Sequence, residues 1–441
     1  MSNTTKAFRG EILHFLSDPA KDNEQSYQYF EDGVLVVKDG LVETVGLAND
    51  ILPTLADDVV VKQHDNGLLM PGFVDTHIHY PQTEIIGSYG EQLLEWLETY
   101  TFPTESQFGD TNFAKPRAQF FLDQLLTNGT TTALVFGTVH PESVDAFFTQ
   151  AEELNVRMIC GKVMMDRNAP DNLTDTAESS YEESKALIEK WHGKGRLHYA
   201  VTPRFAPTST SEQLHKAGQL LEEYPGVFMH THLSENKNEC AWVSDLFPEC
   251  ENYLDVYDKH GLLSKRSVFA HGIHLCDSEY QRLSDTDSSL SYCPTSNLFL
   301  GSGLFNLKKA EEFNVDVGLG TDVGGGTSFS QLQTLNEAYK IQQLRGEKLT
   351  ALKSFYLATL GGASALDLDD KIGNFTPGKE ADFIVLDYKS TDLMRVRMNN
   401  TKDILERLFV LTTLGDDRTV RETYVMGDLA HDRNNKKTSA L

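Results

Sequence analysis

The stretch PGFVDTHIHYPQTE, residues 71–84, starts as a buried strand at Phe73-Val74 and ends in His77-Ile78-His79, with Pro81 two residues on. An apolar core strand gains nothing from two imidazoles. Side chains alternate along a strand, so His77 and His79 point to one side with their Cα atoms about 7 Å apart. Two imidazoles in that relation can converge on one ion.

The same texture repeats along the chain. From residue 69, eight apolar runs follow one another: LLMPGFVDTHIH, TTALVFGTV, VRMICGKVMMD, RLHYAVTPR, GVFMHTH, SVFAHGI, SLSYCPTS and VDVGLGTD. Helix-length amphipathic segments such as SYEESKALIEKWHG and TSEQLHKAGQLLEEY lie between them. Near-continuous apolar runs are expected of parallel strands buried on both faces. Eight strand-helix units over about 300 residues predict an α/β chain folded as a (β/α)8 TIM barrel.

The flanks read differently. GVLVVKDGLVETVGL alternates and turns at Asp39-Gly40, DDVVVKQHD is a further short strand, and no helix is predicted before residue 69. After residue 370 a strand-only texture returns in GNFTPGKEADFIVLD and ETYVMGDLAHD. The two flanks are expected to pair into one small β domain. The predicted organisation is residues 1–68 and 371–430 for that domain, 69–370 for the barrel and 431–441 for a flexible tail.

Composition narrows the partners. A formal net charge of −26, with no compensating basic run longer than a pair such as Lys436-Lys437, argues against nucleic acid. No stretch reaches membrane-spanning length in apolar residues, and MSNTTKAFRGEILHFLSD lacks the pattern of a secretory leader. Five cysteines without a CxxC pair suit reduced thiols in the cytoplasm.

In a (β/α)8 barrel the site lies at the C-terminal ends of the strands. Those ends carry His77 and His79 on the first strand, Arg204-Phe205 on the fourth and His230, His232 and Glu235 on the fifth. His271 ends the sixth and Asp322 the eighth. His232 and Asp322 would complete a divalent site with His77 and His79. Mixed imidazole and carboxylate ligation suits one zinc ion per chain, with iron the alternative. His230 shares a face with His232 and reads as a supporting or packing residue. A second metal would need a bridging group such as a modified lysine, but Arg204 ends strand four and Lys162 is a weak substitute on strand three.

A metal-activated water would be the nucleophile. Asp322 can take its proton, Glu235 can protonate a ring nitrogen or leaving group, and His271 can orient the attack. Gln82 and Arg204 offer donors to a heterocycle and Phe205 a stacking face. A structural salt bridge for Arg204 and ordinary packing for Phe205 are the plainer alternatives. GNFTPGKE has Glu380 where a P-loop needs Ser or Thr, HPE at His140 has no following PCxxC, and Cys293 has no activating base. In residues 88–105, Leu93, Trp96, Leu97 and Tyr100 form a helical stripe with Pro103 as its stop. The stripe suits a pocket cap, a subunit contact or plain barrel packing.

Taken together, PGFVDTHIH, HTHLSE, FAHGIH, GLGTD and PGKEADFIVLD resemble the amidohydrolase superfamily, in its mononuclear aminohydrolase branch, over nearly the whole chain. THIHYPQTEIIGSYGEQLLEWLETYTFPTE, NGTTTALVFGTVH, TPRFAPT and CPTSNLFLGSGLFNL are similar to the members that deaminate guanine. The resemblance implies a (β/α)8 barrel with a flanking β-sandwich, commonly as a homodimer. It implies zinc on His77, His79, His232 and Asp322, with Glu235, Asp322 and His271 catalytic. It implies guanine bound by Gln82, Arg204, Phe205, His232 and Glu235, losing its C2 amino group to water to give xanthine and ammonia. Adenine-type, cytosine, triazine and adenosyl substrates are the alternatives within the branch. An inactive scaffold is disfavoured by the intact ligands and proton carriers.

Overall fold

The eight apolar runs form eight parallel strands in sequential order: Phe73–His79, Thr130–Phe136, Arg157–Gly161, Leu197–Pro203, Phe228–Leu233, Ser267–His271, Ser289–Tyr292 and Val317–Leu319. Val163–Met164 adds a short pairing beside the fourth. The ring closes where His79 N–H donates to Val323 O and Asp322 N–H donates to His77 O, both at 2.9 Å. The computed structural model describes residues 5–20, 25–89 and 92–435.

Burial explains why these runs are strands: every residue of Phe73–His79 and Thr130–Phe136 is buried, as both faces of a covered parallel sheet require. The intervening amphipathic segments are helices with side-chain caps. Thr176 and Ser179 form a reciprocal cap at the start of Ala177–Trp191, and Thr210 accepts from Gln213 N–H at the start of Ser211–Glu223. Inside the barrel, Val74, Leu134, Ile159, Ala200, Phe228 and Val268 pack with residues such as Ala363, Leu366 and Ile372. On their own strands Val74, Phe228 and Val268 precede the ionisable residues, so an apolar plug fills the barrel below a polar rim.

The two flanks form one seven-stranded mixed sheet, ordered Asp428–Asp432, Val420–Val425, Phe383–Asp387, Val61–Pro71, Thr5–Phe15, Tyr27–Lys38, Leu41–Leu47. Alternation gives it two faces. Phe8, Leu69, Phe383 and Tyr424 make a separate core, while Leu68, Met70, Ile384 and Leu386 join the barrel's. The LLMP of the first apolar run therefore belongs to this sheet, and the barrel starts at Phe73. Gly72 is the joint: a Cβ there would lie 2.1 Å from Thr131 Oγ1.

Three expectations for the flanks need correction. A single helical turn, Ala48–Ile51, lies within residues 1–68. Helices Asp392–Met398 and Ile404–Leu414 follow residue 370, where strands alone were expected. The run ILERLFVLTTL is apolar on most sides and so lacks an amphipathic signature. The signals it did carry are its caps, Thr391 and Asp403, which accept from Met394 and Glu406 N–H. The expected tail is structured at its start, since His431 and Asp432 pair with the strand Val420–Val425. Residues 436–441, with Lys436 and Lys437, lie outside the described residues. Among the described residues no helix is long and apolar enough to cross a membrane.

Candidate active site

Four side-chain atoms from three strand ends meet at the barrel's C-terminal mouth. His77 Nε2 lies 3.3 Å from His79 Nε2, which lies 3.2 Å from His232 Nε2. Asp322 Oδ1 stands 3.2 Å from His77 Nε2 and 3.4 Å from His79 Nε2. These four separations are close to the edge of about 3.3 Å of a tetrahedral site with bonds of the length zinc makes to nitrogen and oxygen, while His232 and Asp322 stand farther apart than that. The atoms also fit a cation chemically. His232 Nδ1–H donates to Arg204 O at 2.7 Å, so a neutral His232 presents a bare Nε2 lone pair. Burial, the largest cause, holds His77, His79 and His232 well below the usual imidazole range, so the rings face one another and a carboxylate as electron-pair donors. The ring of Phe136, centred 4.5 Å from His79 and 4.7 Å from His232, supplies part of the desolvating wall.

Neighbouring groups orient this set, as metal-binding imidazoles require. His230 Nε2 is 2.7 Å from His77 Nδ1, behind that ring rather than among the converging atoms. Lys162 is directed elsewhere, with its Nζ 2.6 Å from Asp175 and 3.2 Å from Glu183. The glycine-rich run after the eighth strand allows close backbone approach: a Cβ on Gly318 would lie 2.2 Å from Thr76 Cγ2.

Glu235 and His271 stand beside the converging atoms. Glu235 Oε2 is 3.4 Å from His271 Nε2, and Asp322 Oδ2 is 3.8 Å from the same nitrogen. Burial pushes Glu235 up to about 7 and raises Asp322. For His271 burial pulls downward, but the nearby Glu235 and Asp322 outweigh it and the net shift is upward. His271 Nε2 is buried without a hydrogen-bond partner. His271 and Asp322 both take left-handed backbone, with φ of 73° and 51°, an arrangement that costs energy in ordinary residues and clusters at functional sites.

A cleft of about 430 Å³ opens over these groups, lined among others by Gln82, Arg204, Phe205, Leu93, Trp96 and Leu97. Leu93, Trp96 and Leu97 of the predicted stripe therefore wall the cleft. Pro103 does not stop this segment. The chain passes through a π-helical stretch, Leu97–Thr101, into the short helix Phe102–Glu105, and Pro103 falls in its first turn where a missing N–H is tolerated.

The structure brings all the sequence-predicted site residues together at this mouth. It adds four that sequence reasoning missed. Asn297 Oδ1 lies 2.9 Å from His271 Nδ1, and Ser302 donates to Glu235 Oε1 at 3.1 Å; both lie in or beside CPTSNLFLGSGLFNL, whose length hinted at a role. Phe136 ends the second strand. Glu105, fully buried, holds Arg204 and Gln82; it ends THIHYPQTEIIGSYGEQLLEWLETYTFPTE, whose length was the one signal for it. The decoys stay outside. Cys293 is buried, which pushes its thiol well above the usual range, and Glu380 pairs with Arg157 and Arg196.

A closed eight-stranded barrel with histidines and an aspartate converging at its C-terminal mouth defines a metal-dependent hydrolase. The chain belongs to the amidohydrolase family, whose model matches residues 68–430. It is 56% identical over 434 residues to guanine deaminase of Escherichia coli (strain K12), covering 98% of this chain and 99% of that protein. The solved structure of E. coli guanine deaminase superposes with a TM-score of 0.95, covering 97% of this chain and 100% of that one. Guanine deaminase from C. acetobutylicum with bound guanine in the active site is 29% identical, with a TM-score of 0.87 and coverage of 97% and 100%.

Proposed function

We propose that this chain is a guanine deaminase, a hydrolase acting on the C–N bond of a cyclic amidine, which converts guanine and water to xanthine and ammonia in purine catabolism or salvage. The observation that carries this reading is the joint presence, in one cleft, of the converging metal-type ligands, two buried proton carriers and the Gln82–Arg204–Phe205 wall. His77, His79, His232 and Asp322 would hold one zinc ion, with Fe2+ the alternative. When bound, such an ion supplies a Lewis acid that brings water's acidity near neutral.

The chain's own residues do the rest. Phe205 gives the purine a flat apolar face, and Gln82 and Arg204 orient it by its polar edge. Asp322 accepts the proton that water releases. Glu235, pushed up to about 7 by burial, is poised to hold a proton near neutral pH. It delivers that proton to N3 and then assists delivery to the departing amine, because amide anion is too poor a leaving group to depart unprotonated. Asn297 holds His271 Nδ1, leaving Nε2 to orient the attacked C2 region. His232 and Glu235 border the bound base as well. Leu93, Trp96 and Leu97 exclude bulk water.

The assembly belonging to this reading is a cytoplasmic homodimer that binds neither nucleic acid nor membrane. The division belonging to it is a barrel that starts at Phe73 and a β unit built from the segments on either side of it, the second reaching Asp432. Metal analysis of the purified protein, with ammonia release from guanine, 8-oxoguanine, adenine, cytosine and adenosine, tests it. Guanine should be the preferred substrate and about one zinc should copurify per chain. Preference for adenosine or cytosine would overturn the assignment, and sedimentation at a monomer's mass would overturn the dimer.

A further inference from the structure

Both side chains assigned to the purine's polar edge are held by one carboxylate, the last residue of THIHYPQTEIIGSYGEQLLEWLETYTFPTE, to which the sequence alone attached no role. Glu105 is fully buried. Its Oε2 accepts from Arg204 Nη1 at 2.7 Å, and its Oε1 accepts from Arg204 Nη2 at 3.2 Å and from Gln82 Nε2 at 2.9 Å. Gln82 Oε1 in turn accepts from Gly324 N–H at 3.2 Å, which fixes which end of the amide faces which way. The Arg204 guanidinium lies 5.5 Å over the Phe102 ring, three residues before Glu105. The segment that walls the cleft with Leu93, Trp96 and Leu97 thus ends by clamping Arg204 and Gln82.

A buried guanidinium would ordinarily draw anions to the cleft. Pairing it with a buried carboxylate leaves its remaining N–H groups as donors and removes its net charge. That difference matters for the proposed reaction. Guanine enters neutral. Replacing its amino group by a carbonyl places a ring N–H between two carbonyls, and such a proton leaves more readily. Xanthine therefore carries negative charge over more of the working pH range than guanine does.

Resting on the guanine reading above, we propose that Glu105 is a positioning and specificity-determining residue: it locks Arg204 and Gln82 in one geometry and cancels the guanidinium's charge. The cleft then favours the neutral aminopurine over the anionic product. Besides Arg204, the titratable groups near this carboxylate are His79, which adjoins Gln82 Nε2 at 3.2 Å, and His140, whose charged form Glu105 favours.

The test is a double-mutant cycle on the metal-loaded enzyme with Glu105→Gln, Arg204→Met and the double variant. Affinity for guanine and xanthine is read by steady-state kinetics and by calorimetric xanthine titration across neutral pH. In Glu105→Gln, KM for guanine should rise while xanthine binds about ten- to a thousandfold tighter, the range over which one added opposite charge acts in a buried site. The tightening should grow as pH rises and xanthine ionises. In the double variant the charge is gone again, and the anion preference should vanish. Unchanged xanthine affinity with unchanged pH dependence in Glu105→Gln, or equal tightening in the double variant, would overturn the inference. If Glu105→Gln does not fold, Glu105→Asp serves: it keeps the charge, so KM should rise with the wild-type pH profile for xanthine, and an altered profile would overturn the proposal. A wild-type enzyme that releases no ammonia from guanine would instead overturn the reading beneath it.

Discussion

The two ends of the barrel handle buried charge in opposite ways. At the N-terminal ends of strands three and four, Arg157 and Arg196 meet Glu380 and Asp382 from the flanking segment. Arg157 Nε donates to Glu380 Oε2 at 2.8 Å, Arg196 Nη2 donates to the same oxygen at 2.6 Å, and Arg196 also pairs with Asp382. Two guanidinium groups face two carboxylates, and the set is internally complete. At the C-terminal mouth, His79 Nε2 stands 3.2 to 3.4 Å from His77 Nε2, His232 Nε2 and Asp322 Oδ1, and these electron-pair donors face one another with no guanidinium or ammonium group paired to them among the described residues. The first arrangement holds the flanking sheet to the barrel. The second is an arrangement of donors that a bound metal cation would complete.

Removing that ligand gives the largest expected effect. Dialysis against a strong chelator should abolish ammonia release from guanine, and added zinc should restore it. The chelated protein should keep its far-ultraviolet circular dichroism, because the lower end needs no metal. Full activity in metal-depleted protein, verified by elemental analysis, would erase the distinction between the two ends. Next comes Glu235→Gln, expected to cost about 10²- to 10⁴-fold in kcat, the scale of a lost general acid-base. Its metal content should match wild type, since Glu235 lies beside the converging atoms and not among them. Normal turnover in that variant would remove Glu235 from the proton path.

The lower end should respond in the opposite currency. Arg196→Met removes one partner from a buried set and leaves carboxylates uncompensated, a change that costs about 3–5 kcal/mol of stability. Urea unfolding should register that loss, while kcat at temperatures where the variant is folded should stay near wild type. A large kcat defect with unchanged stability would mean that the lower network acts on the chemistry.

The sequence showed these ends unequally. Strand alternation put His77 and His79 on one side, and the strand ends brought His232, His271 and Asp322 into line, because a barrel converts chain order into a shared level. What escaped was pairing between distant residues with no periodic signature. Glu105 meets Arg204 across 99 positions, and Arg196 meets Asp382 across 186. GKEAD looked like a failed phosphate loop, whereas Glu380 and Asp382 are the carboxylates that anchor the sheet. The helix Ile404–Leu414 escaped for the converse reason: it is apolar on too many sides to show a face.

The smallest effect is a difference in sign. Burial pushes the Glu380 carboxyl upward, but Arg157 and Arg196 outweigh it and leave it below the ordinary carboxylate range. Its contribution is therefore present above that ordinary range and fades as pH falls through the lowered value. Glu235 in the chelator-treated protein behaves inversely: buried and pushed up to about 7, it contributes fully below the ordinary glutamate range, and that contribution fades as pH rises through about 7. Through these two carboxyls acid should loosen the lower end while rising pH loosens the mouth, in addition to the acid sensitivity that the buried neutral His77, His79 and His232 give the mouth. Thermal melts of the chelator-treated protein from about pH 2 to about pH 8 should show both limbs. Glu380→Gln should make the acid limb shallower and leave the neutral one, and Glu235→Gln should make the neutral limb shallower, which Asp75, also pushed up to about 7 by burial, shares, each moving Tm by a few degrees. Parallel curves for wild type and Glu380→Gln through the acid limb would show that the guanidinium pairs do not set its acid sensitivity, and the electrostatic contrast between the two ends would then rest on the mouth alone.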